Sequence, residues 1–179
     1  MVAPHRIRLF GDPVLRQRAA EIVEIDGRVA QLAADMIATM HEAPGVGLAA
    51  NQVGVLKRLF VFDVGEGPQA VINPVISDHR GEWVFEEGCL SIPGLSGEVV
   101  RPKEVHLTGV DLDGGAVSFE ADELLARVVQ HELDHLDGVL FIDRMEPDVR
   151  KEALRVIREL TLASPADDEQ KVGLHLPGR

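Results

Sequence analysis

Apolar residues recur along this chain in two rhythms. After Asp26, Val29, Leu32, Met36 and Met40 fall at helical spacing until Pro44-Gly45 ends the run, which predicts a helix capped by Asp26. The spacing then changes. Residues 58–64, 70–73 and 83–85 are rich in β-branched and aromatic side chains and predict strands. Val99 and Val100 predict a short piece before Pro102, and residues 105–112 and 116–119 flank Asp113-Gly114, a strong hairpin signal. Helical spacing returns over 122–136, stopped by Asp137-Gly138, and over 147–162, where Val149, Ala153, Leu154, Ile157 and Leu160 are apolar. Asp12-Pro13 has the form of a cap followed by proline at the first helical position. Residues 45–52 read as a glycine-rich loop opening a short alanine-rich helix.

Strands followed by helices predict an α+β fold, with antiparallel or mixed β-sheets packed around a central helix and a C-terminal helix after it. Neither a repeat nor a linker divides the chain, so residues 1–162 are expected to form one domain. Residues 163–179 mix Pro, Asp, Glu, Gln and Gly with little periodicity and read as a flexible tail.

The helix expected over 122–136 is the unusual one. Leu124, Leu125, Val128, Val129, Leu133 and Leu136 occupy several of its sides, the pattern of a buried central helix. Within it lies His131-Glu132-Leu133-Asp134-His135, an H-E-x-x-H motif. Positions four apart on a helix differ by about 40° in projection, so both imidazoles face one way. Glu132 lies roughly 100° from His131, within reach of anything the two rings bind. Burying two histidines and a glutamate without partners is costly, and a metal ion supplies one. Two imidazoles and a neighbouring carboxylate are the minimum set for a hydrolytic metal: two ligands, and a base for its water.

Such a site needs a third protein ligand and one open position. The longer H-E-x-x-H-x-x-G-x-x-H pattern has its glycine at Gly138, but Phe141 stands where its third histidine belongs, which excludes it. Glu159, on the following helix, is compatible by spacing. The other candidate is Cys89, the one cysteine of the chain. It lies within Glu86-Glu87-Gly88-Cys89-Leu90-Ser91, between carboxylates that would disfavour a bare thiolate. Coordination to a divalent ion deprotonates a thiol outright and accounts for this setting. A third signal is Gly45-Val46-Gly47-Leu48-Ala49-Ala50-Asn51-Gln52, whose small residues admit another backbone and whose Gln52 can hold a carbonyl oxygen or oxyanion.

Composition narrows the setting. One cysteine cannot form an internal disulfide, and residues 1–10 hold charge and a proline but no apolar run resembling a secretory leader. A reducing, cytoplasmic location is expected. The net charge of −12 disfavours non-specific binding to nucleic acid or anionic membrane, and no apolar run approaches spanning length.

Taken together, the three segments resemble the peptide deformylases, whose pattern is G-x-G-x-A-A-x-Q, then E-G-C-L-S, then Q-H-E-x-D-H. Here these are residues 45–52, Glu87-Gly88-Cys89-Leu90-Ser91 and Gln130-His131-Glu132-Leu133-Asp134-His135. The resemblance spans nearly the whole chain, from about Ile7 to Leu162, and makes 1–162 a catalytic domain. It implies that Cys89, His131 and His135 hold one divalent metal, with Fe(II) favoured and zinc, nickel or cobalt acceptable. It implies that Glu132 is the general base and acid, and that the Leu90 N–H and the Gln52 amide stabilise an oxyanion. The implied substrates are N-formylmethionyl nascent peptides, and the released product is formate. Gly45 and Gly47 would pair with an extended substrate backbone, while Val46, Phe85, Leu124 and Val128 would line a methionine pocket. Asp134 would pair with Arg101 and fix the cysteine loop against the helix. Some relatives dock on the ribosome through a basic C-terminal helix. Here Lys151, Arg155 and Arg158 form a basic stripe, but Asp167, Asp168 and Glu169 follow, so transient ribosome contact stands open against an ordinary solvated face.

Overall fold

A computed structural model describes residues 4–163; the expected tail beyond Ala163 lies outside the described residues. The first long helix, α1 (Gly27–Glu42), begins as its sequence suggests: the Asp26 carboxylate accepts from the N–H groups of Arg28 and Val29. Seven strands follow: β1 (Gly47–Ala49), β2 (Leu59–Phe62), β3 (Gln69–Arg80), β4 (Trp83–Cys89), β5 (Ile92–Arg101), β6 (Glu104–Val110) and β7 (Ala116–Asp122). A five-stranded sheet runs in the order β1-β2-β3-β6-β7, and β4 and β5 form a separate hairpin; every strand pair is antiparallel. Two helices complete the described residues, α2 (Glu123–Leu136) and α3 (Pro147–Ala163).

The large sheet lies between α1 and α2, and β2 shows why. Leu59 and Val61 pack with Val29, Met36 and Met40 of α1, whereas Phe60 and Phe62 pack with Ala126, Val129 and Leu136 of α2. All four β2 residues are buried, and each large apolar side chain taken from water contributes about 1.5–3 kcal/mol. On its far side α2 faces a third core, built by Leu15, Ile92, Val99, Leu140, Phe141, Ile142 and Ile157 around Cys89. With cores on two sides, α2 buries most of its circumference, including Arg127, Glu132, Asp134 and His135.

The structure departs most from the sequence expectations in three places, besides strands such as β4 and β7 that run a few residues longer. The alanine-rich segment opens as strand, not helix: Gly47, Leu48 and Ala49 pair with Phe62, Val61 and Phe60. Pairing and burial override the helix preference of alanine, and one 3-10 turn, Ala50–Val53, follows before Gly54 ends it at φ +82°. Expected as a few residues near Asn73, β3 continues to Arg80 because Asn73, at φ +49°, and Pro74 are absorbed as an irregularity between Ile72 and Val75. Expected as Val99-Val100 alone, β5 starts at Ile92; its Pro93, Gly94, Ser96 and Gly97 look like turn residues, yet β4 supplies the ladder.

Candidate metal centre

Two elements meet at the site. β4 ends on Cys89, and α2 carries His131 and His135 one turn apart. Cys89 Sγ lies 3.2 Å from His135 Nε2, which lies 3.2 Å from His131 Nε2. The three donor atoms are all within 4.8 Å of one another. Tetrahedral bonds of ~2.0–2.3 Å would place such atoms about 3.3–3.6 Å apart. Sequence spacing also allowed Glu159 as a third ligand. That residue instead lies on the exposed side of α3 and accepts from Arg155 at 2.6 Å.

Burial and neighbouring charge act on the two rings in opposite directions. Burial pulls the His131 imidazole down, but the sulfur of Cys89 and the carboxylate of Glu87 bring it well above the ordinary value. Burial and the charge of His131 push His135 well below it. Geometry is what favours a shared cation: one sulfur and two ring nitrogens converge closely enough to hold a single ion in place of protons. The donor set therefore fits one divalent ion, and one thiolate with two imidazoles suits zinc, iron, nickel or cobalt.

Glu87 organises this arrangement. Its Oε2 is 3.0 Å from His131 Nδ1, and Arg101 grips both its oxygens, Nε to Oε1 at 2.6 Å and Nη2 to Oε2 at 3.0 Å. Burial opposes its ionisation, yet the hydrogen bonds from His131 and Arg101 hold its carboxyl far below the usual glutamate range. Arg101 Nη1 continues to Asp134 Oδ2 at 2.7 Å, and Arg144 closes on the same carboxylate at 2.6 Å. Sequence reasoning paired Arg101 with Asp134 but assigned no part to Glu87, Arg144 or Arg127. The available signs were Glu87 at the head of the cysteine segment and Arg127 a helical turn before His131 in an otherwise buried stretch.

Glu132 is 3% exposed, and its Oε2 has no hydrogen-bond partner among the described residues. Burial pushes its carboxyl up to about 7. Gly47 faces it closely: a Cβ there would lie 2.3 Å from Glu132 Oε1, so any larger residue would displace the carboxylate. Gln52, 1% exposed, accepts from the Ala49 N–H at 2.8 Å and turns its Nε2 toward Ser91 Oγ (3.2 Å) and Cys89 Sγ (3.6 Å).

These groups border one cleft of about 290 Å³. Gly45, Val46, Gly47, Phe85, Leu124 and Val128, expected from the sequence to meet a substrate, all line it, as do Gln52, Leu90, Cys89, His131 and Glu132. Ile92, Leu95 and Arg127 line it too and were not anticipated. Arg101 and Asp134 stand behind the cleft and reach it through Glu87.

Comparison with known proteins agrees with this geometry. The family model of polypeptide deformylase matches residues 4–151. Peptide deformylase 1 of Corynebacterium glutamicum is 53% identical over 162 residues, covering 88% of this chain and 96% of the relative. The crystal structure of the peptide deformylase from Thermus thermophilus superposes with a TM-score of 0.84 at 42% identity, covering 88% of this chain and 95% of that one. A peptide deformylase from Synechococcus elongatus, solved in complex with actinonin, gives 0.83 at 42% identity, covering 87% and 88%. Sequence, fold and the sulfur–imidazole cluster agree, and this chain belongs to the polypeptide deformylase family.

Proposed function

We propose that residues 1–162 form a metal-dependent amidohydrolase that removes the formyl group from the N-terminal formylmethionine of new polypeptides, releasing formate and a free α-amine. One observation carries this reading: a buried carboxylate, Glu132, borders the same cleft as Cys89 and His131, two of three converging donors that His135 completes from behind. Those three residues would hold the divalent ion, which when bound supplies a Lewis acid and makes water acidic near neutral pH. The family resemblance favours Fe(II), and the donor set equally accepts zinc, nickel or cobalt.

The chain's own residues do the rest. Glu132, buried at the cleft, takes a proton from the attacking water and returns one to the departing amine. The Gln52 amide and the Leu90 N–H donate to the oxyanion of the tetrahedral intermediate. β1 is an edge strand, so Gly47, and Gly45 just before it, would offer main-chain groups to an extended peptide. Val46, Phe85, Leu124 and Val128 give the apolar wall that a methionine side chain requires. Arg101 and Asp134 fix the cysteine strand against α2. The setting is the cytoplasm, consistent with a free thiol as ligand and with no helix among the described residues long and apolar enough to cross a membrane. A transient ribosome contact through α3 would use Lys151 and Arg158, because Arg155 is already paired with Glu152 and Glu159.

Anaerobic purification with metal analysis, then formate release from formyl-Met-Ala-Ser, tests the reading. Ferrous-loaded protein is expected to release formate, actinonin to compete, and Cys89→Ala to lose the metal. Cleavage of unformylated peptides without formate would instead indicate a metallopeptidase.

A further inference from the structure

Arg127 precedes His131 by one helical turn, so both side chains leave α2 on the same face. It is only 4% exposed. Nη1 donates to Glu87 Oε1 at 2.7 Å and to the Val99 carbonyl at 2.8 Å, and Nη2 donates to the carbonyl of Trp83. Its guanidinium carbon lies 5.2 Å from the Trp83 ring centre and 5.9 Å from that of Phe85, within cation–π range. With both terminal nitrogens engaged by the hairpin, Arg127 has a role other than general binding of anions.

Its partners define that role. Both carbonyls belong to the β4–β5 hairpin, whose first strand ends at Cys89. Glu87 is the junction: Arg101 grips it from β5, and α2 grips it twice, through Arg127 on Oε1 and His131 on Oε2. Arg101 ties the carboxylate to its own hairpin and reaches α2 only at Asp134, beyond His131. Arg127 fixes it to the helix that carries the imidazoles, four residues from the ring it must meet.

We propose that Arg127 is a positioning residue for the metal centre: by clamping Glu87 onto α2 it keeps His131 Nδ1 hydrogen-bonded and Nε2 aimed at the point shared with Cys89 and His135. This rests on the reading of those three residues as cation ligands. Carboxylates behind metal-bound histidines set the ring's tautomer and orientation, and losing such support typically weakens metal affinity about 10–100-fold. Lysine keeps the charge but lacks the planar fork that reaches a carboxylate and two carbonyls together.

The test uses cobalt-loaded protein. R127K, R127M, E87Q and the R127K/E87Q double variant are compared with wild type for the rate of cobalt release to excess chelator at a temperature where circular dichroism shows each folded. Both Arg127 variants should release cobalt roughly 10–100-fold faster than wild type. R127K should show a lower kcat for formyl-Met-Ala-Ser with KM within about twofold, and the double variant should release cobalt no faster than E87Q. Either folded Arg127 variant releasing cobalt at the wild-type rate, even with a lowered Tm, would reduce Arg127 to a brace and overturn the proposal. Additive acceleration in the double variant would overturn it as well. Wild-type protein that neither holds cobalt nor releases formate is a different failure, that of the deformylase reading itself.

Discussion

His131 Nδ1 sits 3.0 Å from Glu87 Oε2, two residues before Cys89 in the chain. Because hydrogen bonds from His131 and Arg101 outweigh the cost of burial and hold Glu87 ionised, it can only accept. A ring proton therefore belongs on Nδ1, which leaves Nε2 as the nitrogen that would hold the ion. One carboxylate thus sets the tautomer of a donor on the helix and anchors the strand that brings the sulfur.

Glu132→Gln should separate binding from chemistry. It removes the proton acceptor while leaving Cys89, His131 and His135 in place. Metal content by elemental analysis should match wild type, and kcat for formate release should fall by about 10²–10⁴-fold. Turnover within a few-fold of wild type would exclude Glu132 as the base.

Gly47→Ala tests the close passage of β1 over the base. The added Cβ would meet Glu132 Oε1 at 2.3 Å and its Cδ at 2.8 Å, so the carboxylate must swing aside. Displacement of a catalytic group by an ångström costs on the order of 100-fold in rate. A kcat loss of that size with metal retained is the expected result; unchanged kinetics would show that the base tolerates the shift.

Asp134→Asn should act mainly on stability. Its carboxylate takes Arg101 at 2.7 Å and Arg144 at 2.6 and 3.1 Å, and Arg101 is buried. Arg101 keeps Glu87, so the loss is that of charge-assisted hydrogen bonds, about 1.5–3 kcal/mol, which lowers Tm by roughly 5–10 °C in a domain of this size. Differential scanning calorimetry of the two proteins, each with metal bound, would measure it.

Asp143 gives a pH signature away from the metal. Burial raises its carboxyl, but hydrogen bonds from Arg16 and the Leu140 N–H bring it below the ordinary aspartate value of 3.8. A carboxyl depressed in the folded state adds stability that is complete above the unfolded value and is lost as pH falls through the folded one. Wild type should therefore melt above Asp143→Asn by a constant margin near neutral pH, and the margin should shrink as pH drops below 3.8. Thermal melts across that range that leave the margin unchanged or widen it would contradict the assignment.

What the sequence alone determined is what local periodicity encodes. The 3.6-residue repeat places His131, Glu132 and His135 on one reachable arc of α2, and the Asp26 cap opens α1 where the apolar stripe begins. Short-range spacing also excluded a third histidine at position 141. Tertiary structure decided the rest. An alanine-rich segment became β1 because β2 offered it a ladder, and a stretch rich in proline and glycine became β5 because β4 did. Cys89 prevailed over Glu159 as the third donor because the β4–β5 hairpin folds against α2, while α3 turns Glu159 outward to Arg155. Glu87, Arg127 and Arg144 acquired their roles the same way, since an ion pair depends on which buried faces meet across 40 and 10 residues of chain. Helical phase is settled within a few residues, whereas ladder and charge partners are chosen only when distant apolar surfaces pack together.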